Sequence, residues 1–182
     1  RGNARMLKAL ADSGLPLVGI DPSMTLTYRQ EYAYALPKAE LPKVMLIQEW
    51  LGKQLGVLAQ AGAGLPAATF RLLPHCTEKT SAAPSIRDWQ AVFAALGQKL
   101  EILEVGCCGM SGTYGHESAN YQTSRRIYEL SWREPVKDAN NQGKLVATGY
   151  SCRSQVKRFD QQRLPHPLQA LLAQLGKVGA RG

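Results

Sequence analysis

Leu100-Glu101-Ile102-Leu103-Glu104-Val105-Gly106-Cys107-Cys108-Gly109-Met110-Ser111-Gly112 decides the reading of this chain. Leu100 to Val105 has the length and apolar content of a short buried strand. The glycines that follow punctuate it as a loop, and two adjacent cysteines sit inside that loop. Adjacent residues in an open loop need not share a face. Cys107 and Cys108 can therefore reach different atoms of a polynuclear centre, which is harder to arrange around a single ion. An iron–sulfur cluster is the first chemistry this pattern suggests.

Outward from this stretch the same unit of strand, loop and helix recurs. Upstream, Thr69-Phe70-Arg71-Leu72-Leu73 reads as a strand, and Pro74-His75-Cys76 opens its loop. Pro84 suits the first turn of a helix running through Trp89, Val92, Phe93 and Leu96 to Gly97. Downstream, Glu117 to about Ala139 reads as one long amphipathic helix, bent near Pro135. Lys144 to Thr148 is a third strand whose loop carries Cys152, and Pro167 starts a last helix. Such alternation predicts an α/β fold, a mainly parallel sheet flanked by helices. In a parallel sheet the carboxyl ends of the strands share one edge, where open α/β folds bind ligands. All the cysteines of the chain, Cys76, Cys107, Cys108 and Cys152, fall just past predicted strands. They are expected to converge there.

The opening third is organised similarly. Asn3 to Ser13 reads as a helix stopped by Gly14, Leu15 to Ile20 as a strand, and Thr25 to about Ala35 as a helix. Pro37 and Pro42 bracket a connector, and Val44 to about Leu58 reads as helix. Leu17-Val18-Gly19-Ile20-Asp21-Pro22-Ser23-Met24 matches Leu145-Val146-Ala147-Thr148-Gly149-Tyr150-Ser151-Cys152 in layout. Residues 1–60 are therefore expected to be the tail of a degenerate first repeat plus a connecting helix, and residues 61–182 a complete cysteine-bearing repeat. Trp50, Trp89 and Trp132 lie at helical positions and are expected in the core.

Composition sets the outer bounds. The 182 residues suffice for one substantial core, burying roughly 70% of the unfolded surface. The chain begins Arg1-Gly2-Asn3 without an initiator Met or an apolar signal core, and reads as a fragment of something longer. A net charge of +8 invites a nucleic-acid reading, but the basic residues are scattered among acids and no aromatic–basic platform is present. A solvated basic surface, an acidic partner domain or an anionic membrane surface suits them better. Cysteine usage does not match a secreted disulfide scaffold, so a reducing, cytoplasmic setting is expected, with peripheral membrane association an option.

These motifs resemble the cysteine-rich CCG domain found in heterodisulfide reductases and in the iron–sulfur component of glycolate oxidase. Cys76, the Cys107-Cys108-Gly109 triplet and Cys152 match that pattern. Gln155 stands where its final cysteine falls, and Met24 stands for a cysteine of the upstream copy. The wording His75-Cys76-Thr77-Glu78-Lys79, Gly106 to Glu117, and Gly149-Tyr150-Ser151-Cys152-Arg153 is similar to the carboxyl-terminal part of YdiJ-type oxidoreductases. Those are large flavin and iron–sulfur fusions akin to D-lactate and D-2-hydroxyglutarate dehydrogenases.

The resemblance implies an electron-transfer domain in which Cys76, Cys107, Cys108 and Cys152 hold a 4Fe–4S cluster, with zinc an alternative. FAD would sit in an upstream domain of the same polypeptide, beside further iron–sulfur domains. That flavin would take a hydride from a 2-hydroxy acid, and electrons would pass to an acceptor, with one at a membrane surface an option. The fragment alone would be inactive. The rival readings are a zinc-stapled structural module and a metal site that helps bind substrate or acceptor. A vicinal redox pair at Cys107-Cys108 is a further option. A phosphate cradle fits poorly, since the glycine spacing matches neither nucleotide pattern. His75, His116 and Glu117 are candidates to support the ligands or complete their number, and Gln155 occupies the vacant cysteine position. Lys79 and Arg153 are candidates to offset thiolate charge, and His166 could fold back toward the same edge.

Overall fold

The computed structural model of the chain describes residues 2–179. In chain order its helices and strands are α1 (Gly2–Asp12), β1 (Leu17–Gly19), α2 (Pro22–Arg29), α3 (Glu31–Ala35), β2 (Val44–Leu46), α4 (Ile47–Leu51) and α5 (Leu55–Ala61). Then follow β3 (Thr69–Leu73), α6 (Cys76–Ser81), α7 (Pro84–Ala95), β4 (Lys99–Ile102), α8 (Tyr121–Glu129), α9 (Arg133–Lys137), β5 (Leu145–Ala147), α10 (Tyr150–Asp160) and α11 (Pro167–Gly179).

Every strand pair is parallel. β1 pairs with β2, and β4, β3 and β5 form a second sheet with β3 in the middle. Parallel strands need crossovers long enough to carry helices, and those helices cover both sheet faces. The burial pattern follows. Leu145, Val146 and Ala147 are all buried, so β5 is a continuous apolar run. Alternate residues nevertheless serve different cores. Leu73, Leu145 and Ala147 pack with Tyr128, Trp132, Val136 and Val156 beneath α8, α9 and α10. Leu72 and Val146 pack with Trp89, Val92, Phe93 and Leu171 on the other face. Each large side chain fully buried this way contributes roughly 1.5–3 kcal/mol. Cys108 and Cys152 belong to the first of these cores.

The expected α/β class is the observed one, with local differences. Val44–Leu46 is a strand rather than the start of a helix. Val44 and Leu46 point into the core and all three residues pair with β1, which overrides local helical preference. The expected helix over 25–35 is interrupted at Gln30. The long helix over 117–139 is broken into 3₁₀ turns, α8 and α9. Pro135 lies in the first turn of α9, where its missing N–H costs nothing, and the break therefore falls upstream of it. Trp89 and Trp132 are wholly buried, whereas Trp50 is half-buried. Among the described residues no helix is long and apolar enough to cross a membrane.

Two polar contacts tie the sheets together. Asp21 caps α2, its Oδ1 accepting from the Ser23 and Met24 amides at 3.0 and 3.2 Å. Its Oδ2 accepts from the Tyr150 amide at the start of α10, at 2.9 Å. Deeper in, Gln48 of α4 donates through Nε2 to Glu78 Oε1 at 2.7 Å.

Candidate functional site

The cysteines occupy three strand-to-helix connections of the second sheet. Two of them sit in helix first turns rather than open loops. Cys76 opens α6 behind His75, and Cys152 lies in the first turn of α10. The Cys107-Cys108 loop after β4 is held at both ends. The Gly106 amide donates to Ser131 Oγ at 2.8 Å, and Trp132 Nε1 donates to the Gly106 carbonyl at 3.0 Å. The break between α8 and α9 thus presents two side chains to the loop's entry. Lys79 Nζ bonds the Val105 carbonyl, fastening α6 to the same segment. At the exit, Ser124 Oγ donates to the Gly109 carbonyl at 2.8 Å.

Two glycines here are required by geometry. Gly109 has φ +81°, and a Cβ there would lie 2.3 Å from the Ser124 carbonyl oxygen. Its amide donates to Cys107 Sγ at 3.3 Å. At Gly149 a Cβ would lie 2.3 Å from the His75 ring and 3.0 Å from Cys152 Sγ. Only glycine permits so close an approach.

The thiols form an interacting row, Cys76 with Cys107, Cys107 with Cys108, and Cys108 with Cys152. Cys108 and Cys152 are buried, while Cys76 and Cys107 are half-exposed, and none is in a disulfide. Hydrogen bonding from Cys76 to Cys107, with burial behind it, raises the Cys76 pKa far above the usual thiol range. For Cys108 the contact with Cys107 is the largest influence and lowers the pKa. The Cys152 contact and burial outweigh it, so this thiol is pushed up to about 12. Cys108 therefore lacks the lowered pKa that marks the attacking thiol of a redox pair. Deprotonating Cys76 and Cys108 calls for nearby positive charge, which a bound metal would supply. Among the described residues, no three His, Cys, Asp or Glu side chains are grouped as for a single metal ion.

The remaining candidates separate clearly. His75 is buried, accepts from the Thr77 amide through Nδ1 at 3.2 Å, and meets Ser151 Oγ through Nε2 at 3.4 Å. Burial lowers its pKa, so the ring is a neutral brace between the loops after β3 and β5. Gln155 is fully buried, and its Nε2 donates to Ser124 Oγ at 2.6 Å, which relays to Gly109. His116 and Glu117 are exposed, and Glu117 accepts from Asn120 Nδ2 at 2.9 Å. Arg153 lies over the Tyr150 ring. His166 is buried, accepts from the Leu168 amide through Nδ1, and packs edge-on against Trp89. Burial, and then the charge of Arg153, lower its pKa to about 4.

Sequence reasoning passes over one group of consequence. The Glu78 carboxyl is fully buried, its Oε2 accepting from Thr148 Oγ1 at 2.7 Å. Thr148 Oγ1 in turn accepts from the His75 amide at 3.0 Å. With Gln48 on its other oxygen, Glu78 joins the loop bearing Cys76, the end of β5 and α4. Burial raises its pKa. In sequence it is one acid in the loop between a strand and the helix begun by Pro84, with no partner in its neighbourhood.

With this geometry in hand, comparison with known proteins is specific. The chain is 54% identical over 170 residues to a D-2-hydroxyglutarate dehydrogenase of Pseudomonas putida, a match covering 93% of this chain and 16% of that protein. A D-2-hydroxyglutarate dehydrogenase of Escherichia coli is 44% identical over 171 residues, with the same coverage of each. A more distant relative, one of the subunits of the anaerobic glycerol-3-phosphate dehydrogenase of Escherichia coli, is 27% identical over 176 residues, covering 92% of this chain and 42% of that one. The chain thus spans about one-sixth of the length of these D-2-hydroxyglutarate dehydrogenases. No family model matches the chain, and no solved structure matches it.

Proposed function

We propose, from the premise that this chain is homologous to a segment of D-2-hydroxyglutarate dehydrogenases, that it is the electron-transfer part of such an enzyme. In this reading Cys76, Cys107, Cys108 and Cys152 hold an iron–sulfur cluster. The observation that carries it is the gathering of every cysteine of the chain into one interacting row at the carboxyl edge of the second sheet. A row of four thiols suits a cluster that spreads its ligands over several iron atoms better than one ion enclosed by three or four donors. When bound, the cluster would supply one-electron chemistry between a flavin elsewhere in the polypeptide and an acceptor.

The protein's own part is placement and tuning. The Gly109 amide directs its N–H at Cys107 Sγ, the kind of contact that lowers charge on a ligand sulfur and shifts a cluster's potential. Trp132, Ser131 and Lys79 fix the entry of the Cys-Cys loop, and Ser124 with Gln155 fixes its exit. His75 and Glu78 keep the loops of Cys76 and Cys152 in register. Cys108 and Cys152 are buried and Cys76 and Cys107 half-exposed, so a partner would approach the row most closely on the side of Cys76 and Cys107. In the same reading residues 1–60 are the tail of a first, degenerate copy of this unit.

The test uses the full-length dehydrogenase carrying Cys108→Ser. Flavin reduction by the hydroxy acid should persist, while bound iron and sulfide fall and transfer to an external acceptor slows by roughly a hundredfold or more. Unchanged iron content and unchanged flavin reoxidation would overturn the assignment.

A further inference from the structure

The helix that buries Cys152 on one face presents a different chemistry on another. Arg153 and Lys157, one turn apart on α10, line a cleft of about 500 Å³ with Tyr150 and Ser154. The opposite wall comes from the segment leading into α11, namely Arg163, Leu164, Pro165 and Gln169. Among the described residues, no acid lines it.

Several basic side chains elsewhere sit in ion pairs. Arg29 pairs with Glu49, Arg71 with Glu101, Arg125 and Arg133 with Glu129, and Lys137 with Asp160. Among the described residues, Arg153, Lys157 and Arg163 have no carboxylate partner. Like charges four residues apart on a helix repel, so this spacing works against the helix unless something anionic lies between the heads. Arg153 supplies a second, independent observation. Its Nε is buried and has no hydrogen-bond partner. A buried guanidinium N–H without an acceptor is an unfavourable arrangement that a bound anion would relieve.

We propose that this cleft binds a small organic acid bearing at least two anionic groups. Arg153 in the floor takes one acid group, and Lys157 with Arg163 at the rim takes the other. The Tyr150 ring, Leu164 and Pro165 cover the carbon skeleton. The volume lies in the range of small-molecule sites and far exceeds what one inorganic anion fills. An apolar wall facing three cations selects a carbon skeleton over phosphate alone. The site is distinct from the cysteine row, which lies on the core side of the same helix.

The experiment is calorimetric titration of the full-length protein, at low ionic strength, with citrate, succinate and inorganic phosphate. Metal content is assayed on every sample. Citrate and succinate should bind, more weakly as salt rises. Arg153→Gln should weaken citrate by roughly tenfold or more, as loss of a charge-assisted bond implies. Lys157→Gln and Arg163→Gln, at exposed positions where folding is not at stake, should each weaken it by up to about fivefold. All three variants should keep their metal. Absence of organic-acid binding, or binding untouched by Arg163→Gln and Lys157→Gln, overturns the proposal. So does phosphate binding as tightly as citrate, which would make the cleft a general anion site. A polyglutamate peptide that outcompetes citrate by roughly tenfold or more, and depends on Arg163, would instead make it a protein-docking surface and overturn the small-molecule assignment.

Discussion

Two turns of this molecule have the same local design and opposite fates. Leu17–Gly19 and Leu145–Ala147 are three-residue parallel strands, and each is followed by a short turn and a helix, starting at Pro22 and Tyr150. Eight-residue windows ending at Met24 and Cys152 match in layout. Yet Met24 is 59% exposed, and Cys152 is 1% exposed. The surrounding topology accounts for the difference. The second turn belongs to a three-stranded sheet, where the loops after β3 and β4 bring Cys76, Cys107 and Cys108 to the same edge. The first turn has a single neighbour, β2, which runs directly into α4. A strand-to-helix turn alone makes a helix start; chemistry needs several such ends converging. The first turn has become a fastener, with Asp21 capping its own helix and the start of α10.

The largest stability effect should come from the support of the second turn's neighbour. Trp132→Ala removes a wholly buried ring and its bond to Gly106, and should cost about 3–5 kcal/mol in denaturant unfolding. It should also loosen the Cys-Cys loop, seen as faster amide exchange at Cys107 and Cys108. A cost below about 1 kcal/mol would show that the loop stands without it.

Next in size is a pH effect confined to the second sheet's cover. His166 is neutral when folded, its pKa near 4. Unfolded, the ring takes a proton near pH 6.5. Its contribution is therefore fully present above about pH 6.5 and declines as pH falls toward 4, by roughly 3 kcal/mol. Urea unfolding at neutral and acid pH should show this slope in the native protein and lose it in His166→Gln.

Asp21→Ala strips a cap from two helices and should cost about 1–2 kcal/mol. Because it breaks the link between the turns, α10 amides near Tyr150 should exchange faster along with those of α2. An effect limited to α2 would mean the turns are independent. The smallest change is Met24→Cys, which restores the sulfur pattern of the second turn. At an exposed position it should alter stability by less than about 0.5 kcal/mol and recruit no additional metal. Added iron in that variant would break the comparison outright.

Much of this is legible in the sequence, for identifiable reasons. β3 and the helices begun by Pro84 and Pro167 follow from apolar runs and first-turn prolines, both local signals. Convergence of the cysteines follows from parallel-sheet topology, which turns sequence position into a shared edge. β2 is hidden because Val44-Met45-Leu46-Ile47 is uniformly apolar and shows no period. The network of Glu78, Gln48 and Thr148 is hidden because its partners lie 30 and 70 residues away. The cleft beside Arg153 is hidden by adjacency. Neighbours on a helix are turned about 100° apart, so Cys152 faces the core while Arg153 lines the outer cleft.

The central claim, that the cysteine row holds an iron–sulfur cluster, is tested most directly on anaerobically purified protein. Its visible spectrum would be recorded beside iron, sulfide and zinc analysis. About four irons and four sulfides per chain, with broad absorbance near 400 nm lost in Cys108→Ser, is the expected result. Stoichiometric zinc in a colourless protein would contradict it and move the electron transfer elsewhere in the parent enzyme.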